Sequence, residues 1–309
     1  MKLIYRGVEK ERLDKFLHGK YPERSRSKIQ HWIENSGATV NGTVAAVHHW
    51  LKNGDVIEIA NTAEQVLPHR TPQEHAAPTM LYHDEEFAII IKPAGMLTHP
   101  TDHEEKDTLA AWITEQFPDS IGIGDDPKRP GIVHRLDRDV SGLMLIALTK
   151  ESYNYFKQLF SLHQIEKRYQ CLVHGSINQN EGAITVPIDR DKKRGRMVAQ
   201  SGKIAGKEAI TLYTVLERFN IYTLLDVQIV TGRTHQIRAH LFSIGHSIVG
   251  DPLYRTKDIR KKKHQSFDSA IPLLFAYHLG FQDRHGQKHD FTVELPDYFT
   301  NVLQQLRTA

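Results

Sequence analysis

The chain has 309 residues, 39% of them apolar and 25% charged, with a formal net charge of +3. This length suits roughly two globular domains at about 100–200 residues each, and no apolar run approaches the ~18 residues of a membrane-spanning helix. The single cysteine, Cys171, excludes an internal disulfide or a thiolate metal cage; with an N-terminus that has no apolar signal core, it points to the cytoplasm.

Residues 1–62 read as a small, separate α+β module. Leu13, Phe16 and Leu17 lie at helical spacing. A second helix is expected from a Ser25 or Ser27 cap, through Ile29, Trp32 and Ile33, to Gly37. Asn41-Gly42 predicts a tight hairpin turn, and residues 54–59 alternate like a half-buried strand. Pro68, Pro72 and Pro78 among polar residues mark 63–80 as an exposed linker.

Residues 81–309 form a second, strand-rich domain. Residues 87–91 and 143–148 are apolar enough for buried strands. A helix is expected over 108–117, capped by Asp107 and stopped by Pro118. Residues 168–173 alternate, with Tyr169, Cys171 and Val173 on one face, and 209–216 and 222–230 read as strands joined at 217–221. Helices do not regularly separate these strands, so the fold class is α+β with a mixed, mainly antiparallel sheet.

Two segments concentrate chemistry. Gly131-Ile-Val-His-Arg-Leu-Asp-Arg-Asp-Val-Ser-Gly142 brackets ionisable and hydroxyl side chains between glycines and runs straight into a buried strand. Such a loop holds side chains rigidly at a sheet edge, although a salt-bridged surface turn has the same composition. Thr231-Gly-Arg-Thr-His-Gln-Ile-Arg-Ala-His240 follows a strand, with Thr234 as expected cap and Ile237 and Leu241 on the buried face of a helix. Arg238 projects from the first helical turns, where a solvated face is the commoner fate of an isolated arginine. His134 reads as a hydrogen-bonded structural histidine. A metal site is not expected: there is no His-Glu-x-x-His run, and His235 and His240 are wrongly spaced to share a helix face.

Five blocks together resemble the RluA-type RNA pseudouridine synthases over nearly the whole chain. They are Lys92-Pro-Ala-Gly-Met-Leu-Thr-His-Pro100, His134-Arg-Leu-Asp-Arg-Asp-Val-Ser-Gly142, Lys167-Arg-Tyr169, Gly232-Arg-Thr-His-Gln-Ile-Arg238 and Gly250-Asp-Pro-Leu-Tyr254. Residues 1–60 resemble the S-four-like RNA-binding module at Arg12-Leu-Asp14, Ser25-Arg-Ser27, Val40-Asn-Gly42 and Gly54-Asp55. The resemblance implies isomerisation of uridine in RNA without cofactor or metal, carried by one carboxylate, Asp137. It assigns Arg238 to pair with Asp137 and keep it ionised, and Tyr169 to stack on the uracil. Arg135 would fill the place of the extruded nucleotide, and Ile237 would wall the base. Arg24, Arg26 and Lys28 become RNA-binding candidates, followed by residues 192–194, Arg196 and residues 260–263. The expected partner is RNA, ribosomal rather than transfer RNA, with a monomeric enzyme and no membrane. Val140 and Phe275 depart from the family's usual threonine and histidine. A catalytically silent RNA-binding protein and, further off, a metal-dependent hydrolase are the competing readings.

Overall fold

The computed structural model describes residues 2–22, 29–30, 32–33, 38–59, 76–101, 105–191, 196–199, 206–255, 269 and 271–308. Two compact units divide the chain, Met1–Glu74 and His75–Ala309. The first unit has helix Leu13–Lys20 and short strands β1 (Lys2–Ile4), β2 (Glu11–Arg12), β3 (Thr39–Val40), β4 (Thr43–Val44), β5 (Trp50–Leu51) and β6 (Val56–Glu58). Strands β1-β6-β3-β4 form an antiparallel sheet, and β2 pairs with β5. Asn41 and Gly42 both have positive φ, 54° and 78°, as the expected tight turn requires. Residues 29–30 and 32–33 are helical, while Ser25, Ser27 and Gly37 lie outside the described residues. Leu13, Leu17, Ile29, Ile33 and Ile57 make one buried cluster, the apolar stripe that gives these short elements stability.

The second unit is built on one sheet. Its strands are β7 (Thr79–His83), β8 (Phe87–Lys92), β9 (Ser141–Ala147), β10 (Glu166–His174), β11 (Glu181–Ile184), β14 (Thr211–Arg218), β15 (Tyr222–Ile229), β16 (Leu274–Gln282) and β17 (Lys288–Thr292). The order is β11-β14-β15-β10-β16-β9-β8-β7, with β17 also on β16; β12 (Ile188–Asp191) and β13 (Arg196–Ala199) form a separate hairpin. Among the described strand pairs only β9 with β16 is parallel, so the expected mixed, mainly antiparallel sheet is the one formed. The linker is shorter than expected, because Thr79 and Met80 already pair with β8.

Strand periodicity gives the sheet two apolar faces. Ala88, Ile90, Met144, Ile146, Tyr169, Cys171 and Val173 face one side, with helices Leu109–Gln116 and Gln236–Ser243 contributing Ile113, Ile237 and Leu241. Phe87, Ile89, Leu143 and Leu145 face the other and receive Phe156 and Leu159 of helix Lys150–Ser161. Leu172 and Phe275 receive Phe299 and Leu303 of helix Asp297–Thr308 on a further cluster. Each such buried side chain contributes about 1.5–3 kcal/mol. Helix Leu109–Gln116 is capped by Thr108, whose side chain accepts from the Ala111 amide at 3.2 Å, rather than by Asp107. A side-chain oxygen three residues before the free amide is the one that reaches it.

Candidate active site

The Asp137 loop hangs between two glycines that no other residue can replace. At Gly131 (φ 65°) an added Cβ would lie 2.2 Å from the Ala147 carbonyl oxygen, and at Gly142 (φ 131°) it would lie 2.3 Å from that of Ala276. Close backbone approach at both ends thus defines where the loop leaves and re-enters the sheet. Between them the Lys92 block grips the loop. Thr98 Oγ1 donates to Leu136 O at 2.9 Å, Gly95 N donates to Arg138 O at 2.8 Å, and Arg138 Nε donates to Gly95 O at 3.0 Å. Lys92 is fully buried, and its ammonium donates to the carbonyls of Pro93, Met96 and Arg138. Two blocks some forty residues apart are therefore one mechanical unit. His134 anchors its entry: Nε2 accepts from the Leu145 amide at 2.9 Å and the ring stacks on Phe160. Burial, then the charge of Lys167, pulls its pKa down to about 3, so it stays neutral.

Opposite the loop, helix Gln236–Ser243 starts with His235 in the left-handed conformation (φ 55°) as N-cap, with no side-chain cap. Thr234, the expected cap, stands one residue too early. The Gln236 side chain instead takes the donors of Thr231 Oγ1 (2.7 Å) and Arg233 N (3.0 Å). Arg238 on this helix is buried rather than solvated. Its Nη1 donates to Asp137 Oδ2 at 2.9 Å, while Nε and Nη2 clamp Asp251 at 2.6 and 3.0 Å. Burial alone would lower the Arg238 pKa; the bonds to Asp251, then the charge of Asp137, override this and raise it. The guanidinium thus stays charged and stands as a fixed positive partner beside the Asp137 carboxylate. Asp251, buried and also accepting from the Leu253 and Tyr254 amides, had no assigned role in the sequence, although its block was visible.

His235 belongs to the same cluster. Tyr254 Oη donates to Met197 O at 2.9 Å, so at 3.1 Å it accepts from His235 Nδ1–H. The Nε2 lone pair then points toward Asp137 Oδ2, 3.9 Å away.

Asp137, Arg238, Arg135, Ile237 and Tyr169 all line one cleft. Val140 lines it too and is buried, so the missing hydroxyl is replaced by apolar wall. Phe275, the other departure, packs into the cluster with Leu172 and Phe299. Burial, then the charge of Asp137, raises the Tyr169 pKa, which keeps its phenol protonated as a hydrogen-bond donor. Arg135 is exposed and donates to His99 Nε2 at 3.2 Å. Arg196 packs over Phe242 and Tyr254 and donates to Leu253 O, a structural rather than outward-reaching placement. Arg24, Arg26 and Lys28, with residues 192–194 and 260–263, lie outside the described residues. His240, with Nε2 donating to Val186 O and Nδ1 accepting from Thr211, is turned to different partners from His235.

A cleft that holds a carboxylate on a guanidinium, beside a tyrosine on the central sheet, defines an enzyme of acid–base or nucleophilic chemistry. Comparison with known proteins identifies which: the RNA pseudouridylate synthase family model matches residues 86–243, a span that contains Asp137, Tyr169 and Arg238. The chain belongs to this family, in its RluA-type branch, whose members are isomerases that convert uridine in RNA to pseudouridine. An uncharacterized RNA pseudouridine synthase of Aquifex aeolicus is 38% identical over 306 residues, 96% of this chain and 94% of its own length. Ribosomal large subunit pseudouridine synthase D of Nitrosomonas europaea is 34% identical over 304 residues, covering 96% and 84%. Among solved structures, human RNA pseudouridylate synthase domain containing 4 superposes with a TM-score of 0.58 at 25% identity, covering 74% of this chain and 93% of that one.

Proposed function

We propose that this chain isomerises particular uridines of ribosomal RNA, with Asp137 as the one essential carboxylate and the first unit as an S-four-like RNA-binding module. The observation that carries the chemistry is an aspartate fixed by Arg238 through one oxygen, leaving the other directed to a cleft shared with Tyr169. The reaction breaks the C1′–N1 bond and makes a C1′–C5 bond, while the proton on C5 leaves and N1 gains one. Nothing is oxidised or reduced. Asp137 acts on the nucleoside as nucleophile or base, Arg238 holds it in place, Tyr169 stacks under the turning uracil, and Ile237 closes the wall. Arg135, at the mouth of the cleft, fills the gap left in the RNA, offsetting a few kcal/mol of unstacking. The ribosomal preference takes its support from the name carried by the relatives of Nitrosomonas europaea and Pseudomonas aeruginosa.

Pseudouridine mapping of total RNA from cells lacking the chain tests this. Pseudouridine is expected to be missing at one or a few ribosomal uridines, restored by the wild-type chain and not by Asp137→Asn. Restoration by Asp137→Asn would defeat the proposal, and losses confined to transfer RNA would defeat its ribosomal part. Binding without any modification would favour the silent RNA-binding reading.

A further inference from the structure

Next to the cleft lies a wider groove; the two share Arg135, Tyr169, Ile229, Gly232 and Arg233. No carboxylate is among its lining residues, whereas Arg129, Arg135, Lys167 and Arg233 are. Lys167 is the unusual member. Only 6% of it is exposed, yet among the described residues its ammonium meets no carboxylate and no carbonyl. Its neighbour is the Phe160 ring, 5.2 Å away at the centroid. A cation–π contact offsets only part of the cost of stripping water from an ammonium. Burial accordingly pulls the Lys167 pKa down to about 8.

His99 steadies Arg135. It is 7% exposed and lines the same groove. Because Arg135 can only donate, the His99 Nε2 it meets at 3.2 Å is the acceptor, and Nδ1 carries the hydrogen. That buried Nδ1 has no partner. Burial, then the charges of Arg135 and Arg129, pulls the ring's pKa down to about 4, so it stays neutral. An ammonium on a largely buried side chain with no carboxylate or carbonyl beside it leaves its charge uncompensated, and an anion arriving in the groove meets a donor already partly desolvated and held in place.

We propose that this groove is a phosphate subsite, in which Lys167 and Arg135, the latter steadied by His99, hold a backbone phosphate of the RNA strand beside the uridine in the cleft. This rests on the uridine reading above and extends it from the base to the backbone. The shared wall carries the strand from one cavity to the other, and phosphate contacts of this kind set the register of a nucleic acid on its protein. Lys167 appeared in the sequence only as the start of a matched block; burial gives it this separate role.

The test uses a synthetic RNA stem–loop carrying the uridine identified by the mapping above, bound to the full chain over a series of salt concentrations. Lys167→Gln is expected to weaken binding several-fold and to reduce the slope of log affinity against log salt by about 0.7, the value for one single-strand phosphate contact. Lys167→Arg is expected to keep the slope. The slope does not depend on the fraction of active protein, so a partly unfolded Gln variant still reports. A single neutral methylphosphonate beside the uridine should weaken wild-type binding several-fold and add nothing to Lys167→Gln. An unchanged slope, or the same methylphosphonate penalty in both proteins, overturns the subsite. If the wild-type chain makes no pseudouridine in the stem–loop, the uridine reading falls, and the subsite with it; an active wild type with an unchanged Gln slope defeats the subsite alone.

Discussion

Asp14 in the first unit and Asp137 in the second both accept from an arginine, but they differ in what remains. Asp14 is fully buried: Oδ1 accepts from Arg12 Nε at 3.0 Å, and Oδ2 accepts from Arg12 Nη2 and Gln30 Nε2, each at 2.9 Å. Both of its oxygens are committed to the protein. Asp137 commits only Oδ2, to Arg238; among the described residues Oδ1 makes no hydrogen bond, and 16% of the side chain is exposed in the cleft. An ion pair by itself therefore says little about role. A carboxylate whose lone pairs are consumed is architecture, and one with a lone pair left over beside a cavity is available for chemistry. Arg238 shows both uses at once, with a two-pronged hold on buried Asp251 and a single bond to Asp137. Asp251 anchors the guanidinium so that it can present one N–H to the reacting group.

The contrast breaks most directly at Asp137. Asp137→Asn is expected to lower the single-turnover rate at least about a thousandfold, as loss of an essential group does, while the thermal midpoint of the second unit stays close to wild type. An Asn variant that is active, or one that unfolds, would place Asp137 with Asp14 instead. Asp251→Ala should behave as the hybrid case. Removing one partner of a buried pair costs about 3–5 kcal/mol, so urea denaturation should show that loss together with a fall in kcat, because Arg238 is released. Asp14→Ala should cost about 3 kcal/mol in the first unit, with the unfolding transition of the second unit unmoved. Equal effects of Asp14→Ala on both transitions would mean that the carboxylates are not divided as described.

The sequence made the periodic parts legible: β8, β9 and β10 alternate or run apolar where the sheet buries them, and Ile237 and Leu241 fall on the packed face of their helix. The amphipathic helices Lys150–Ser161 and Asp297–Thr308 were equally readable from their spacing and went unread. Three features had no local signal. Arg238 looked solvated because its clamp, Asp251, arrives from a loop thirteen residues on. Lys92 and Lys167 each open a matched block, and only the closing of the sheet around them shows that one is spent on three carbonyls and the other on none. His235 takes a positive φ of 55°, which is uncommon outside glycine and carries no local spacing signal, and the helix starts one residue later than a Thr234 cap implies. The resemblance marked these blocks in order; which atoms within them are satisfied is a tertiary property.

Acid should sharpen the comparison with the smallest effect. The first unit is held at Asp14 by a charged group, whereas the second is held at the loop entry by a neutral one, His134, whose Nε2 must stay unprotonated to accept from Leu145. Its pKa is about 3 in the folded chain and 6.5 when exposed. Between those values the unfolded chain binds the extra proton, so stability rises with pH: it is intact above about 6.5 and is lost as the pH falls toward 3. His134 alone should account for about 1 kcal/mol of the stability lost on going from pH 7 to pH 5.5, read from urea denaturation at each pH against the Gln variant. His99, lowered to about 4, adds in the same direction. His134→Gln, which keeps an acceptor for the Leu145 amide and cannot titrate, should make this limb shallower by about 1 kcal/mol between pH 7 and pH 5.5, the remainder coming from His99 and His174, both lowered to about 4. A second unit whose stability is level from pH 7 to pH 5, or a Gln variant with the wild-type slope, would mean that His134 is charged in the folded protein and that its bond to the strand is not what holds the loop.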